Sequence, residues 1–233
     1  MTPILSLIMP VYNEGATLRT VLERVGRVDM PVPYELIVVD DGSSDGAVDG
    51  IERDWVPNAV SVRVVKARTN RGKGSALRKG FSLAQGEVIG VQDADLEYDP
   101  AQIPDLIQPI LDGDADVVFG SRQFGANASY SFWYTMGNRL ISLAASMLFD
   151  RITTDAYTCY KFMRRDAYES ITLRADGFDI ESELTGGLLG NGWRYREVPI
   201  SYTARSREEG KKIRPGDGVR ALATLSRVRL IGR

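Results

Sequence analysis

The sequence predicts an α/β fold, a doubly wound sheet with helices on both faces. Three observations carry this expectation. Short apolar runs alternate with helical stretches through residues 1–120. The runs are apolar throughout rather than alternating, as parallel strands buried on both faces require. The polar, glycine-rich segments fall just after the runs.

The expected strands are LSLIM (5–9), ELIVV (35–39), VRVVK (62–66), EVIGV (87–91) and DVVFG (116–120), with helices near 15–27, 44–54, 73–84 and 101–111 between them. The second half is less regular. A helix near 133–149 is apolar on a broad face and uncharged after Arg139. A strand-like YTCYKFMRR follows, then a helix near 180–190, a strand in WRYREVPISY, and a last basic helix in GVRALATLSRVRL. No repeat, linker or low-complexity tract divides the chain, so residues 1–233 read as one domain.

Composition narrows the chemistry. There is no histidine, which removes Ser-His-Asp and Cys-His catalysis and histidine metal sites, and the single cysteine, Cys159, removes a disulfide framework. The net charge of −2 argues neither for nucleic acid nor for a membrane. From Arg205 onward nine basic residues stand against three acidic ones, a net +6 that leaves −8 for the rest. Such a tail is either a solvated end or a contact for an anionic partner such as a phosphate or lipid surface. No charged leader precedes LSLIMP and no apolar run reaches about 20 residues, so neither a signal peptide nor a membrane span is expected.

In doubly wound sheets ligands bind beyond the carboxyl ends of the strands. The residues expected there are Pro10 to Glu14, Asp40 to Ser43, Asp93 to Asp95, and Gly120 to Arg122. The DDGSSDG segment at 40–46 reads as a turn and helix cap, yet Asp40 ends a buried run and needs a partner such as a ribose hydroxyl or a base N–H. Gly72-Lys73-Gly74 is either a flexible turn or a helix start open to an anion. QDADLEYDP follows the fourth run. In an extended segment Asp93 and Asp95 share a face that Glu97 continues, and carboxylates so placed suit Mg²⁺ or Mn²⁺. The same spacing in DGDAD (112–116) lies at the amino end of a strand and reads as a solvated turn. Asp99-Pro100 reads as a helix cap and first turn.

MPVYNEGATL, LIVVDDGSSDG, NRGKGSALRKG, QDADLEYDP and DVVFGSR, in this order, resemble the family-two glycosyltransferases of the GT-A fold, with a Rossmann-like mixed sheet. They are most similar to the polyprenyl-phosphate, dolichol-phosphate mannosyltransferase-like branch. The resemblance is strong over residues 4–122 and looser to about 213. It implies a nucleotide- and metal-binding half (1–122) and an acceptor-side half (123–233) with the basic C-terminal helix.

By position, the resemblance implies that Pro10, Tyr12, Glu14, Asp40, Asp41, Lys73 and Asp93 bind the nucleotide of a sugar donor, and that Asp93, Asp95 and Glu97 hold Mg²⁺ or Mn²⁺. Catalytic roles fall to Asp95, Arg122 and Asp155. Arg122 and Arg139 would meet an acceptor phosphate, and Arg205, Lys211 and Lys212 would close over the donor diphosphate. Met136-Gly137 stands where relatives carry Arg-Gly, and the residues after Asp155 depart from the dolichol-type pattern.

The implied activity is inverting, metal-dependent transfer from a nucleotide-sugar, GDP-mannose or a UDP-hexose, to a polyprenyl phosphate. The alternative is a sugar hydroxyl acceptor in cell-wall or polysaccharide synthesis, with Asp155 as base. The helices near 133–149 and at the C-terminus read either as plain core and surface or as an interfacial pair on the cytoplasmic face of a membrane. A sugar-nucleotide-binding protein without catalysis is a rival that the intact Asp93, Asp95 and Asp155 disfavour. A nucleotidyltransferase or an oxidoreductase would want glycine-rich loops where VYNEGATL stands.

Overall fold

The computed structural model describes residues 2–51, 53–123, 127–128, 132–205 and 215–231. A seven-stranded mixed sheet forms its centre. The strands are β1 (Leu5–Val11), β2 (Tyr34–Asp40), β3 (Ser61–Lys66), β4 (Val88–Val91), β5 (Val117–Ser121), β7 (Lys161–Arg164) and β8 (Tyr195–Pro199), in the order β3-β2-β1-β4-β7-β5-β8. Short strands β6 (Asn127–Ala128) and β9 (Tyr202–Thr203) pair with each other. β7 runs antiparallel to both β4 and β5, and every other pairing in the large sheet is parallel.

The strand sequences dictate two packed faces. Successive side chains point to opposite sides, so Leu7, Met9, Leu36 and Val38 enter one core while Ile8, Ile37, Val39 and Ile89 enter the other. The first face is covered by α1 (Leu18–Arg27) and α3 (Ile103–Leu111), the second by α2 (Lys73–Phe81) and α6 (Ile180–Gly190). A third cluster joins α4 (Phe132–Phe149), α6 and α7 (Pro215–Ile231) through Ile141, Ala145, Phe149, Leu189, Ala221 and Leu225. The short α5 (Arg165–Glu169) follows β7.

Three expectations change. Residues 44–54 are turns and a 3-10 stretch at Arg53–Trp55 rather than a helix, because Gly42, Gly46 and Gly50 all take positive φ and punctuate the segment. β3 is an edge strand, half-exposed rather than buried on both faces. Asp112 and Asp114 are solvated, but Asp116 is buried and paired with Arg194 at 2.6 Å. Asp99 caps the turn at Pro100–Gln102, accepting from the Ala101 N–H, as its sequence implies.

The strand order reverses between β1 and β4, and the segments leaving their carboxyl ends diverge to leave a crevice. No helix among the described residues is long and apolar enough to cross a membrane.

Candidate active site

At that crevice lies a cavity of about 320 Å³. Pro10, Tyr12 and Glu14 reach it from the end of β1, Asp41 from β2, Asn70, Gly72 and Lys73 from the start of α2, and Asp93, Asp95 and Glu97 from the end of β4. Cys159, Phe178 and Arg205 complete the wall. Strand polarity thus gathers most of the residues expected at the donor site.

Asp40 is placed differently. Its carboxylate accepts the Ser43 N–H (2.9 Å) and hydroxyl (2.5 Å) and faces a separate polar hollow beside Lys66 and Arg68. Asp41 is the residue that faces the main cavity. It accepts the Arg71 and Gly72 N–H groups, the latter at 2.6 Å, and so fixes the loop that carries Lys73. Burial raises its carboxyl above the ordinary value despite those bonds.

The glycines around Lys73 serve a protein contact. A Cβ on Gly72, where φ is 109°, would collide with the Asp176 carbonyl oxygen, and one on Gly74 with that of Ala175. The start of α2 is therefore packed on the 175–177 backbone, with Ser75 N–H donating to Asp176 O at 3.2 Å. Lys73 extends inward to Asp93 (2.8 Å), the Cys159 sulfur (2.9 Å) and Glu181 (3.2 Å). Glu181 in turn pairs with the fully buried Lys161 at 2.6 Å. Two cations and two carboxylates make a closed, neutral buried quartet. Sequence reasoning gave Glu181 and Lys161 no role, since only contacts distant in sequence join them to Lys73 and Asp93.

The aspartate pair is electrostatically unequal. Burial pushes the Asp93 carboxyl up, but Lys73, Cys159 and Arg205 outweigh it and hold the group below the ordinary range. Asp95 lacks a lysine, and burial followed by the charges of Asp93 and Glu97 pushes it up to about 7. Arg205 is its counter-charge, at 2.7 Å. Glu97 does not continue the face of the pair. Leu96 takes a left-handed φ of 60°, which breaks the extended run and turns Glu97 toward the Tyr202 hydroxyl (2.9 Å) and the Arg205 N–H (2.9 Å). Accordingly, the described residues contain no ready-made group of three metal-ligating side chains.

The donor set nonetheless fits a hard divalent cation. Glu14, Asp93, Asp95 and Glu97 offer only oxygen, and a guanidinium already stands among three of them as a stand-in cation. Asp93 and Asp95 are the residues that would hold Mg²⁺ or Mn²⁺, with Glu97 beside them.

The residues expected on the acceptor side, Arg122, Arg139 and Asp155, are not among those that line this cavity. Asp155 is fully buried, and its carboxylate takes a two-pronged fork from Arg122, Nε to Oδ2 at 2.7 Å and Nη2 to Oδ1 at 2.8 Å. The Arg122 N–H (2.9 Å) and Asn138 (2.8 Å) add further donors. Burial pushes the Asp155 carboxyl up, and Arg122 more than reverses this, leaving it below the ordinary range. Glu197 props the segment by accepting the N–H groups of Thr154 and Asp155. Arg122 also lies over the Tyr202 ring, 4.9 Å from its centre. Arg139 is exposed against Gln123, and it is the adjacent Asn138 that reaches Asp155. Lys211 and Lys212 lie outside the described residues.

Comparison with known proteins agrees with this architecture. Residues 6–172 match the model of the family described as Glycosyl transferase family 2. A dolichol-phosphate mannosyltransferase of Pyrococcus furiosus is 31% identical over 215 residues, covering 88% of this chain and 58% of that protein. A dodecaprenyl-phosphate galacturonate synthase of Rhizobium johnstonii is 30% identical over 207 residues, covering 86% of this chain and 59% of that protein. The chain thus spans somewhat under two thirds of the length of these two relatives. Among solved structures, glucosyl-3-phosphoglycerate synthase from Mycobacterium tuberculosis, in complex with Mn²⁺, uridine diphosphate and glucosyl-3-phosphoglycerate, shares the fold. It has a TM-score of 0.67 at 23% identity and covers 99% of this chain and 79% of that one.

Proposed function

The chain belongs to glycosyl transferase family 2, and from that premise we propose that it is an inverting, cation-dependent hexosyltransferase. It moves a sugar from a nucleotide-sugar, GDP-mannose or a UDP-hexose, to a polyprenyl-phosphate-type lipid. The names of the relatives support the acceptor class, and the carboxylate oxygens of Asp93 and Asp95 at the cavity, with Glu97 beside them, support the cation.

One observation carries the choice of acceptor. Both Asp155 oxygens already accept from Arg122, and the carboxyl is held below its ordinary range, so this group is poorly suited to take a proton from a hydroxyl. A phosphate acceptor arrives ionised and needs no base. Its oxygen attacks the anomeric carbon from the face opposite the leaving group. One carbon–oxygen bond forms, the bond to the diphosphate breaks, and the nucleoside diphosphate leaves with the electron pair.

The protein's part is to bind and orient. Tyr12, Asp41, Asn70 and Arg205 all line the cavity, the first three suited to wall a nucleoside and Arg205 to meet a diphosphate. Arg122, which keeps 18% side-chain exposure and is locked by Asp155, presents a rigid guanidinium to the incoming phosphate. A divalent cation, when bound, supplies charge neutralisation on the leaving diphosphate.

Contact with the cytoplasmic face of a membrane is part of the reading. Leu140, Leu143 and Met147 form one exposed apolar stripe on α4, and Val219, Leu222 and Leu230 are exposed on α7, with Arg139, Arg151, Arg220 and Arg229 also in solvent. Exposed apolar residues interspersed with basic ones suit an anionic interface. The reading is tested by screening UDP- and GDP-sugars with Mn²⁺ or Mg²⁺ for protection against thermal unfolding. It expects at least one donor to stabilise the protein in a cation-dependent way, and protection by none would count against it.

A further inference from the structure

Arg205 lies 191 residues beyond Glu14 and 110 beyond Asp95, yet its guanidinium sits between them. Nη2 meets Asp95 Oδ2 at 2.7 Å, Nη1 meets Glu14 Oε2 at 3.1 Å, and Nε lies 3.8 Å from Glu97 Oε1. These are the carboxylates that, with Asp93, crowd one wall of the cavity, and Lys73 is committed to Asp93 and Glu181. Carboxylates so close repel unless a cation stands among them. The fit of the guanidinium is nevertheless imperfect. Its Nε is buried and has no hydrogen-bond partner, so one donor of the fork is left unmet. The backbone contributes a separate attachment. The Arg205 N–H and the Tyr202 hydroxyl both donate to Glu97, and Thr203 N–H donates to the Glu97 carbonyl. The side chain can therefore leave while the main chain stays docked.

We infer that Arg205 is an internal cation that occupies the carboxylate cluster in the metal-free chain and must be displaced when a divalent ion binds, so that residue 205 sets the affinity of the site for that ion. The inference rests on the reading of Asp93 and Asp95 as cation-holding residues. It goes beyond that reading in making an arginine and the metal competitors for the same oxygens. A divalent ion brings two charges where the guanidinium brings one, and it is free of the fork's directional demands.

The test is direct Mn²⁺ binding, read from the paramagnetic signal of the free ion, to the wild type and to Arg205→Ala, Arg205→Gln and Arg205→Lys, each with and without UDP or GDP. The neutral variants should bind Mn²⁺ alone about tenfold or more tightly than the wild type, while Arg205→Lys, which keeps the charge, should stay within about threefold of it. Arg205→Gln, the closer match in shape, keeps the test open if the alanine variant does not fold. Unchanged or weaker binding by the neutral variants overturns the competition. So does an equal gain in the lysine variant, which would point to packing rather than charge. If neither wild type nor variants bind Mn²⁺ even with nucleotide, the cation-holding reading itself fails and takes this inference with it.

Discussion

Arg122 and Asp155 form a bidentate pair sealed from solvent on the carboxylate side, with Nε and Nη2 of the arginine 2.7 and 2.8 Å from the two carboxylate oxygens. A base awaiting a proton would keep a free lone pair toward the cavity. This carboxylate instead serves as the mount of a cation.

If Asp155 acts through Arg122, Asp155→Asn and Arg122→Gln should share one defect, a raised KM for the acceptor phosphate, and the double variant should be little worse than either single one. Steady-state kinetics across the three variants checks this. A loss confined to kcat in Asp155→Asn, with acceptor KM unchanged, would return the residue to the role of base. Breaking the pair should also cost about 3–5 kcal/mol of stability, measured by urea unfolding.

The Lys73–Asp93–Glu181–Lys161 quartet should behave as a unit. Glu181→Gln removes one charge from a buried, neutral set and should destabilise the protein by about 3–5 kcal/mol, read from the denaturation midpoint. Double variants with Lys161→Met should recover part of that loss, because the orphaned cation is then gone.

Gly72→Ala tests the close approach of α2 to residues 175–177. The new Cβ meets the Asp176 carbonyl at a φ that side chains rarely adopt, so a loss of about 1–3 kcal/mol or more is expected. Gly113→Ala, also at positive φ (74°) but with open space around it, should cost less, since only the backbone term remains. Thermal unfolding of the two variants compares them directly.

Asp116 predicts a pH dependence far from the site. Its hydrogen bond from Arg194 holds its carboxyl below the ordinary value. A depressed acid contributes stability that is fully present above its unfolded value, near ~3.9, and is lost as pH falls through the lower folded value. The gap in Tm between wild type and Asp116→Asn should therefore be constant from neutral pH down to about 5 and close below about 4. A gap that widened with acidity would contradict the pairing.

Much of this molecule is legible in its residues. The apolar runs locate all five early strands to within a residue or two, and strand polarity separates Asp93 and Asp95 from the solvated Asp112 and Asp114. What is not legible depends on contacts distant in sequence. Asp40 and Asp41 are adjacent, and only the strand's exit angle decides which one faces the cavity. Glu97 is aimed at Tyr202 and the Arg205 backbone by a left-handed Leu96, a conformation that no leucine advertises. The expected helix at 44–54 fails because its glycines terminate turns, and the close approach of Gly72 and Gly74 to the 175–177 backbone involves a segment about a hundred residues away. Arg205 among the carboxylates brings together segments 191 residues apart, beyond any local pattern.

Transfer of a sugar to a lipid phosphate is decided by a single product analysis. Purified protein, Mn²⁺, polyprenyl phosphate and a labelled donor chosen by thermal protection are incubated together, and the lipid phase is examined for label and anomeric configuration. A lipid-linked sugar is expected, joined through a phosphodiester labile to mild acid, with the donor's anomeric configuration inverted. Label found only on hydroxyl acceptors, or a product that keeps the donor's configuration, would contradict it.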